Sequence, residues 1–533
     1  AITDAKIAYH AYTSLRDFFI KKYELDILHF ATIPSIAGYI FRRKYLRECP
    51  TPVRIVETPI NQRSNGKWYR VISKSPVYAG SLDVRYMALS AYHGARVESF
   101  CRGRLESVNL VYYDVDSLYP SSCMLQPLPC KDTEWIKLPI DDSRKQQEII
   151  TRGEGFVEVE FSFPSSINYP CLPVIGIRDN VLYFPLSGIS YATLSELRLA
   201  IKLGLNRFKI LSGFAFMPTS KEINHPLKQY MMALHELKHK SSKGSIDYQM
   251  YKLLMNALVG KLIERQEDDT SLTLLKEGFI SRENYTKVTR RIKSLKHAGS
   301  LFLPEYASLI LGKARSIIGE FVAKGSLFVS TDSVLLPANV DISCDALREL
   351  KSVGSNLKKE FNVTHGIIIR SRLYALNPLE DNPNNRHIAR HGVHLSVGDF
   401  LVGMRQAYFS KSIPNLEYTA KKLIRLNEAI RKGIPLNTEV EYQSKINLSW
   451  DGKRNLLKLV DNPFADFSLT RPLLTIPNER KKKKKSINID AVISLLNEGL
   501  SQRKIAKELG VTQQYISKLL KEVEDAKFSY KKL

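Results

Sequence analysis

Two aspartates stand where apolar strands should end, and their placement is what first suggests chemistry in this chain. Asp332 lies in Leu327-Phe-Val-Ser-Thr-Asp-Ser-Val-Leu-Leu336, where an acid among three hydroxyls separates two apolar runs. That pattern predicts a hairpin crest presenting one carboxylate. Asp114 follows a second apolar run, in Val111-Tyr-Tyr-Asp-Val-Asp-Ser-Leu-Tyr-Pro-Ser121. A lone aspartate at a strand end is ordinarily a turn cap. Two on facing strand tips are what a divalent-metal site for phosphoryl transfer needs, because Mg²⁺ takes hard oxygen ligands and only a few from protein. Between them, Lys252-Leu-Leu-Met-Asn-Ala-Leu-Val-Gly-Lys261 reads as a helix in which Lys252 and Asn256 share a face.

The elements around these residues are mixed. Residues 4–48 read as helical with a kink at Pro34, and 51–110 as mixed. From 111 to 220, β-like and helical runs alternate; Val157-Glu-Val-Glu-Phe-Ser-Phe163 has period two, and a helix over 193–203 stops at Gly204. Residues 225–264 predict a helical hairpin broken near Ser241-Ser-Lys-Gly244. The segment 377–478 begins polar and is read as helical around 416–432, before a basic run from Arg480 to Lys485.

The 533 residues allow several domains. With 79 Lys and Arg against 54 Asp and Glu, the formal charge of +25 favours a polyanionic partner, nucleic acid before an anionic membrane. No apolar stretch is long enough to cross a bilayer, and six cysteines without a CxxC pair argue for reduced thiols in a cytoplasmic setting.

The order acid crest, basic helix, acid crest resembles the catalytic core of family B DNA polymerases. Asp114, Ser117, Leu118, Tyr119, Pro120 and Ser121 match D-x-x-S-L-Y-P-S, Lys252–Gly260 resembles K-x-x-x-N-S-x-Y-G, and Thr331-Asp332-Ser333 matches the end of Y-x-D-T-D-S. Tyr92-His-Gly-Ala95 fits Y-x-G-G/A, and Arg372 and Tyr374 resemble K-x-Y with Arg for Lys. The resemblance implies a right-hand polymerase: an α/β (α+β) palm, helical fingers and thumb. It implies DNA synthesis from dNTPs with two Mg²⁺ (or Mn²⁺) ions on Asp114, Asp332 and the Val115 carbonyl.

It further implies nucleotide contacts from Ser117, Leu118, Tyr119, Lys238, Lys252 and Asn256, with Tyr119 excluding a 2′-hydroxyl. Primer and template contacts fall to Tyr92, Gly94, Arg96, Gly260, Thr331, Arg370, Arg372 and Tyr374. Strand alternation would put Arg370, Arg372 and Tyr374 on one face. Three residues depart from the family pattern: Ala257 and Val259 replace Ser and Tyr, and Ser330 replaces the first acid of the second crest. A decayed, noncatalytic DNA-binding core is therefore the alternative reading.

Asp4 resembles the last carboxylate of a 3′–5′ exonuclease motif. One carboxylate cannot hold two metals, so proofreading is expected only from a preceding segment or a separate polypeptide. The intervals 122–220 and 266–300 have room for the insertions of protein-primed polymerases, which hold a priming protein. Ser501–Leu520 resembles a helix-turn-helix, an all-α unit with Gln513, Gln514, Tyr515 and Lys518 on its DNA-reading helix. The expected division is an exonuclease remnant (1–48), a linker (49–110), palm (111–224), fingers (225–264), palm again (265–376), thumb (377–479), basic linker (480–485) and helix-turn-helix (486–533). A polymerase fused to a sequence reader suits a virus or mobile element.

Overall fold

A computed structural model describes residues 2–46, 53–64, 67–78, 81–176, 179–264, 301–414, 417–423, 439–476 and Ser501. The chain divides into two units, Ala1–Ile476 and Pro477–Leu533. The helix-turn-helix expectation, with Gln513, Gln514, Tyr515 and Lys518, lies outside the described residues, as does the 266–300 interval.

An antiparallel sheet of five strands carries both acid crests. Its order is Leu357–Val363, Leu110–Val115, Ser333–Pro337, Phe328–Ser330 and Val97–Ser99. Leu110–Val115 is buried on both faces over most of its length, which explains its nearly unbroken apolar run. On one face Val115, Val334 and Leu336 pack against the helix Pro304–Val322. On the other, Tyr112, Phe328 and Leu335 meet Ile368 and Tyr374 of a second sheet. That six-stranded sheet runs His387–Arg390, Leu373–Leu376, Gly366–Arg370, Cys101–Leu105, Phe467–Pro472 and Arg454–Leu456.

Pro304–Val322 is apolar around most of its circumference and accordingly buried along nearly its whole length. It approaches the strand end at Thr193 through Gly312, where a Cβ would stand 2.3 Å from the Thr193 hydroxyl. Thr193 caps the helix Leu194–Lys202 in a reciprocal box with Glu196. Glu196 binds Arg315 through its other oxygen at 2.7 Å, and Arg315 donates to the carbonyls of His93 (2.6 Å) and Gly94 (3.1 Å). One capping carboxylate thus anchors the loop that carries the Tyr92–Ala95 motif. Thr193→Ala is expected to cost about 1–2 kcal/mol by loss of the cap, read as a lower urea midpoint with an unchanged slope.

A third sheet, Ser187–Thr193, Glu154–Ser162, Arg207–Phe216 and Ile136–Leu138, fills the roomy interval after the first crest. The helical hairpin is formed by Pro226–Lys240 and Ile246–Lys261. No helix among the described residues is long and apolar enough to cross a membrane.

Two expectations need correction. Pro34 does not kink one helix; it opens a second, Ile33–Tyr45, capped by Thr32, after the helix Ile2–Tyr23 has ended. The segment read as helical around 416–432 begins as a strand, Glu417–Leu423, paired with Glu439–Lys445. Residues 424–432 of that segment lie outside the described residues, and a helix further upstream spans Val397–Ser410, capped by Ser396, and buries Phe400, Met404 and Ala407.

Candidate active site

Antiparallel pairing brings the two crests together. Asp114 stands directly opposite Ser333, and the Val115 N–H donates to the Asp332 carbonyl at 2.8 Å. Residues opposite one another in such a pair share a face. Asp332 sits in the two-residue turn joining Phe328–Ser330 to Ser333–Pro337. Its N–H donates to the Ser330 carbonyl at 2.9 Å around Thr331, whose φ is 66°. This is a γ-turn with positive φ at a β-branched residue, a strained conformation. The Thr331 N–H donates to the Arg96 carbonyl at 3.0 Å, and the Ser333 hydroxyl to the Ser330 carbonyl at 3.1 Å. Ser330, where the family pattern has an acid, supplies backbone to this turn.

Both carboxylates are half-buried. Burial, then Asp332, Glu360 and Asp116, push the Asp114 carboxyl up to about 7, with Lys358 opposing. Burial also raises Asp332, opposed by a backbone amide and by Lys252. Among the described residues neither acid forms a salt bridge. Two crowded carboxylates, neither held in a salt bridge among the described residues, suit a hard divalent cation. No cluster of three or more His, Cys, Asp or Glu fit for a metal occurs among the described residues. Two carboxylate donors would suit a hard divalent cation that takes only a few protein oxygens and fills its shell with water or phosphate.

Beyond Asp114, Ser117 takes the left-handed conformation (φ 55°, ψ 47°) and starts the helix Leu118–Leu125. Lys238, from the helical hairpin, is 2% exposed. Its ammonium donates to the Ser117 hydroxyl at 3.1 Å and lies 3.7 Å from Asp116 Oδ1. It is therefore a buried cation aimed at the first crest, not a surface lysine. Leu118 is buried, while Tyr119 is half-buried between two core clusters. Burial raises the Tyr119 hydroxyl, as does the charge of nearby Asp332, with Arg315 and Arg372 opposing. Lys252, Asn256 and Gly260 occupy the exposed face of Ile246–Lys261; Ala257 and Val259 face inward against the core.

The remaining candidates divide. Tyr92 is half-buried and Gly94 exposed, with open space where a Cβ would stand. Arg96 does not reach outward. It is 1% exposed, bonded to Glu98 at 2.7 Å and to the Pro170 carbonyl at 3.0 Å. Arg370, Arg372 and Tyr374 do not lie along one strand. Gly366–Arg370 and Leu373–Leu376 form a hairpin whose turn, Ser371–Arg372, has Arg372 at φ 59°. Arg372 is exposed on that turn. Tyr374 is buried and stacks on Phe328 with ring centroids 4.6 Å apart, so its face is closed to an external base or sugar. Asp4 falls in the helix Ile2–Tyr23, its side chain outside the described residues. Sequence reasoning missed Lys358, which pairs with Asp114 in register, and Glu360, which holds its ammonium at 2.7 Å.

The sequence over residues 2–298 matches the family of type B DNA polymerases, organellar and viral. The chain belongs to that family. It is 26% identical over 333 residues to the primer-independent DNA polymerase PolB of Escherichia coli, covering 60% of this chain and 36% of that protein. It is also 26% identical over 362 residues to a probable DNA polymerase of Neurospora intermedia, covering 63% and 33%. The chain thus spans about a third of the length of these relatives. Among solved structures, phi29 DNA polymerase with primer-template DNA and incoming nucleotide superposes with a TM-score of 0.50 at 14% identity, over 81% of this chain and 70% of that one. The likeness establishes an α/β polymerase fold, and the matched family is the organellar and viral one.

Proposed function

We propose that this family B polymerase chain carries out template-directed DNA synthesis by metal-assisted nucleotidyl transfer. One observation carries the reading: pairing of Asp114 with Ser333 brings the half-buried Asp114 and Asp332 within electrostatic range of each other, with the Lys238 ammonium held nearby against Ser117 and Asp116. Asp114, Asp332 and the Val115 carbonyl would hold two Mg²⁺ or Mn²⁺ ions, which when bound activate a 3′ oxygen and stabilise departing pyrophosphate. Lys238 and Lys252 neutralise triphosphate charge, and the αL backbone at Ser117–Leu118 meets the phosphates. Asn256 lies near the nascent base pair. Tyr119 lies under the sugar and selects deoxynucleotides. Tyr92, Gly94, Gly260, Thr331, Arg370 and Arg372 line the primer-template path, the two arginines as phosphate contacts.

In this reading the two sheets are the palm, the Pro226–Lys261 hairpin the fingers, and part of 377–479 the thumb, with the last strands returned to the palm. The C-terminal residues add a DNA-reading helix-turn-helix. Proofreading is not assigned to these residues, because Asp4 is a single acid. The primer-independent relative sets synthesis without a primer beside the protein-primed option. The noncatalytic alternative is not favoured, since Ser330 supports the turn through its backbone while Asp332 keeps the carboxylate.

Primer extension by the purified chain with dNTPs and Mg²⁺ tests the proposal; extension supports it, and none at any Mg²⁺ or Mn²⁺ concentration contradicts it. Lys238→Met should raise the KM for nucleotide about tenfold, equivalent to roughly 1.4 kcal/mol of binding. An unchanged KM in steady-state single-nucleotide incorporation would remove Lys238 from the phosphate site.

A further inference from the structure

A loop far along the sequence grips both halves of the candidate site. The Asp451 carboxylate accepts from the Ser371 N–H at 3.3 Å, at the turn that carries Arg372. It also accepts from the Lys453 N–H at 3.2 Å, which fixes the loop against that turn. The Lys453 ammonium donates to the Val97 carbonyl at 2.8 Å. Val97 pairs with Ser330, and the neighbouring Arg96 carbonyl receives the Thr331 N–H, so this strand is the outer support of the γ-turn holding Asp332.

Arg454 completes the grip. It is 2% exposed, donates to Thr470 Oγ1 and to the Asn168 carbonyl at 2.7 Å each, and lies 3.7 Å from Glu98. Glu98 is fully buried and holds Arg96 from the other side. Its Oε1 and the Arg454 Nη1 face each other without a hydrogen bond. Two guanidiniums around one carboxylate are costly to bury, a cost that packing alone would have avoided with apolar residues. The loop reaches both ways: Lys453 and Arg454 toward the strand Val97–Ser99 that supports the Asp332 turn, and Asp451 to the Arg372 turn.

We propose that the Asp451–Arg454 loop is a positioning tie that couples the Arg372 turn to the Asp332 crest, so that primer end and metal-binding acid move together. The catalytic part of this inference rests on the polymerase reading above; the mechanical part does not. Lys453 is the positioning residue, acting on Asp332 through Val97 and the Arg96 carbonyl.

The test compares wild type, Lys453→Met and Lys453→Arg in the full chain by hydrogen exchange. In Lys453→Met, peptides spanning 328–334 and 370–374 should both exchange roughly fivefold faster, the effect of losing one net hydrogen bond. The Leu118–Leu125 helix should be unmoved, and Lys453→Arg should restore protection. Wild-type exchange in both segments, or a response in only one, overturns the tie. In primer extension Lys453→Met should lower kcat about tenfold or more by misplacement and raise the half-saturating Mg²⁺ concentration, leaving the nucleotide KM unmoved. A changed KM with unchanged kcat contradicts the assigned role. A wild-type chain that extends no primer defeats the polymerase reading, while the exchange result still decides the tie.

Discussion

Asp332→Ala should lose nucleotide incorporation by on the order of a thousandfold or more while keeping its fold. Activity falls because the paired acids supply the only charged oxygens proposed to hold the metal. The fold survives because the turn's hydrogen bonds to its neighbours are made by Asp332 backbone: its N–H reaches Ser330 and its carbonyl accepts from Val115. Removing the side chain also relieves Asp114, whose carboxyl is raised by burial and then by the Asp332 charge. At neutral pH the variant should therefore melt at or slightly above the wild-type temperature. A large drop in Tm would make the activity loss uninformative for the metal site, and Asp332→Asn then provides the same test with the shape retained. Incorporation equal to wild type in either variant rejects the assigned acid.

Tyr119→Ala should admit ribonucleotides, with discrimination against the 2′-hydroxyl falling by on the order of a hundredfold, about 3 kcal/mol. The ring bridges two core clusters and reaches the neighbourhood of Asp332 and Arg372. A half-buried ring fixed on two sides is stiff enough to exclude a hydroxyl by shape. Tyr119→Phe should keep the discrimination, because exclusion needs the ring and not its hydroxyl. The measurement is the ratio of kcat/KM for dNTP and rNTP; an unchanged ratio in Tyr119→Ala removes the sugar-gate role.

What the sequence could and could not reveal follows from the range of the forces involved. Asp114 and Asp332 were legible because an acid ending an apolar run is a local signal. Their meeting is a matter of antiparallel pairing across 218 positions, with Asp114 in register with Ser333. Lys238 is expected at the nucleotide only through the resemblance, since nothing local predicts its burial; the fold buries it against Ser117. The Arg370–Tyr374 run alternates like one strand, yet it turns at Ser371–Arg372 without the Gly or Asn that usually signals positive φ. Glu417–Leu423 is rich in helix-favouring Glu, Lys and Leu, and pairing with Glu439–Lys445 overrides that preference. The Lys453–Val97 and Arg454–Glu98 contacts carry no local signal, since each joins residues hundreds of positions apart.

Soaking Mn²⁺ into crystals of the chain with primer-template DNA and a non-reactive dNTP analogue asks most directly whether the two crests work as one. Anomalous density bridging Asp114 and Asp332 is the predicted result. Manganese bound elsewhere, or absent from both side chains while DNA and nucleotide are in place, would contradict the assignment.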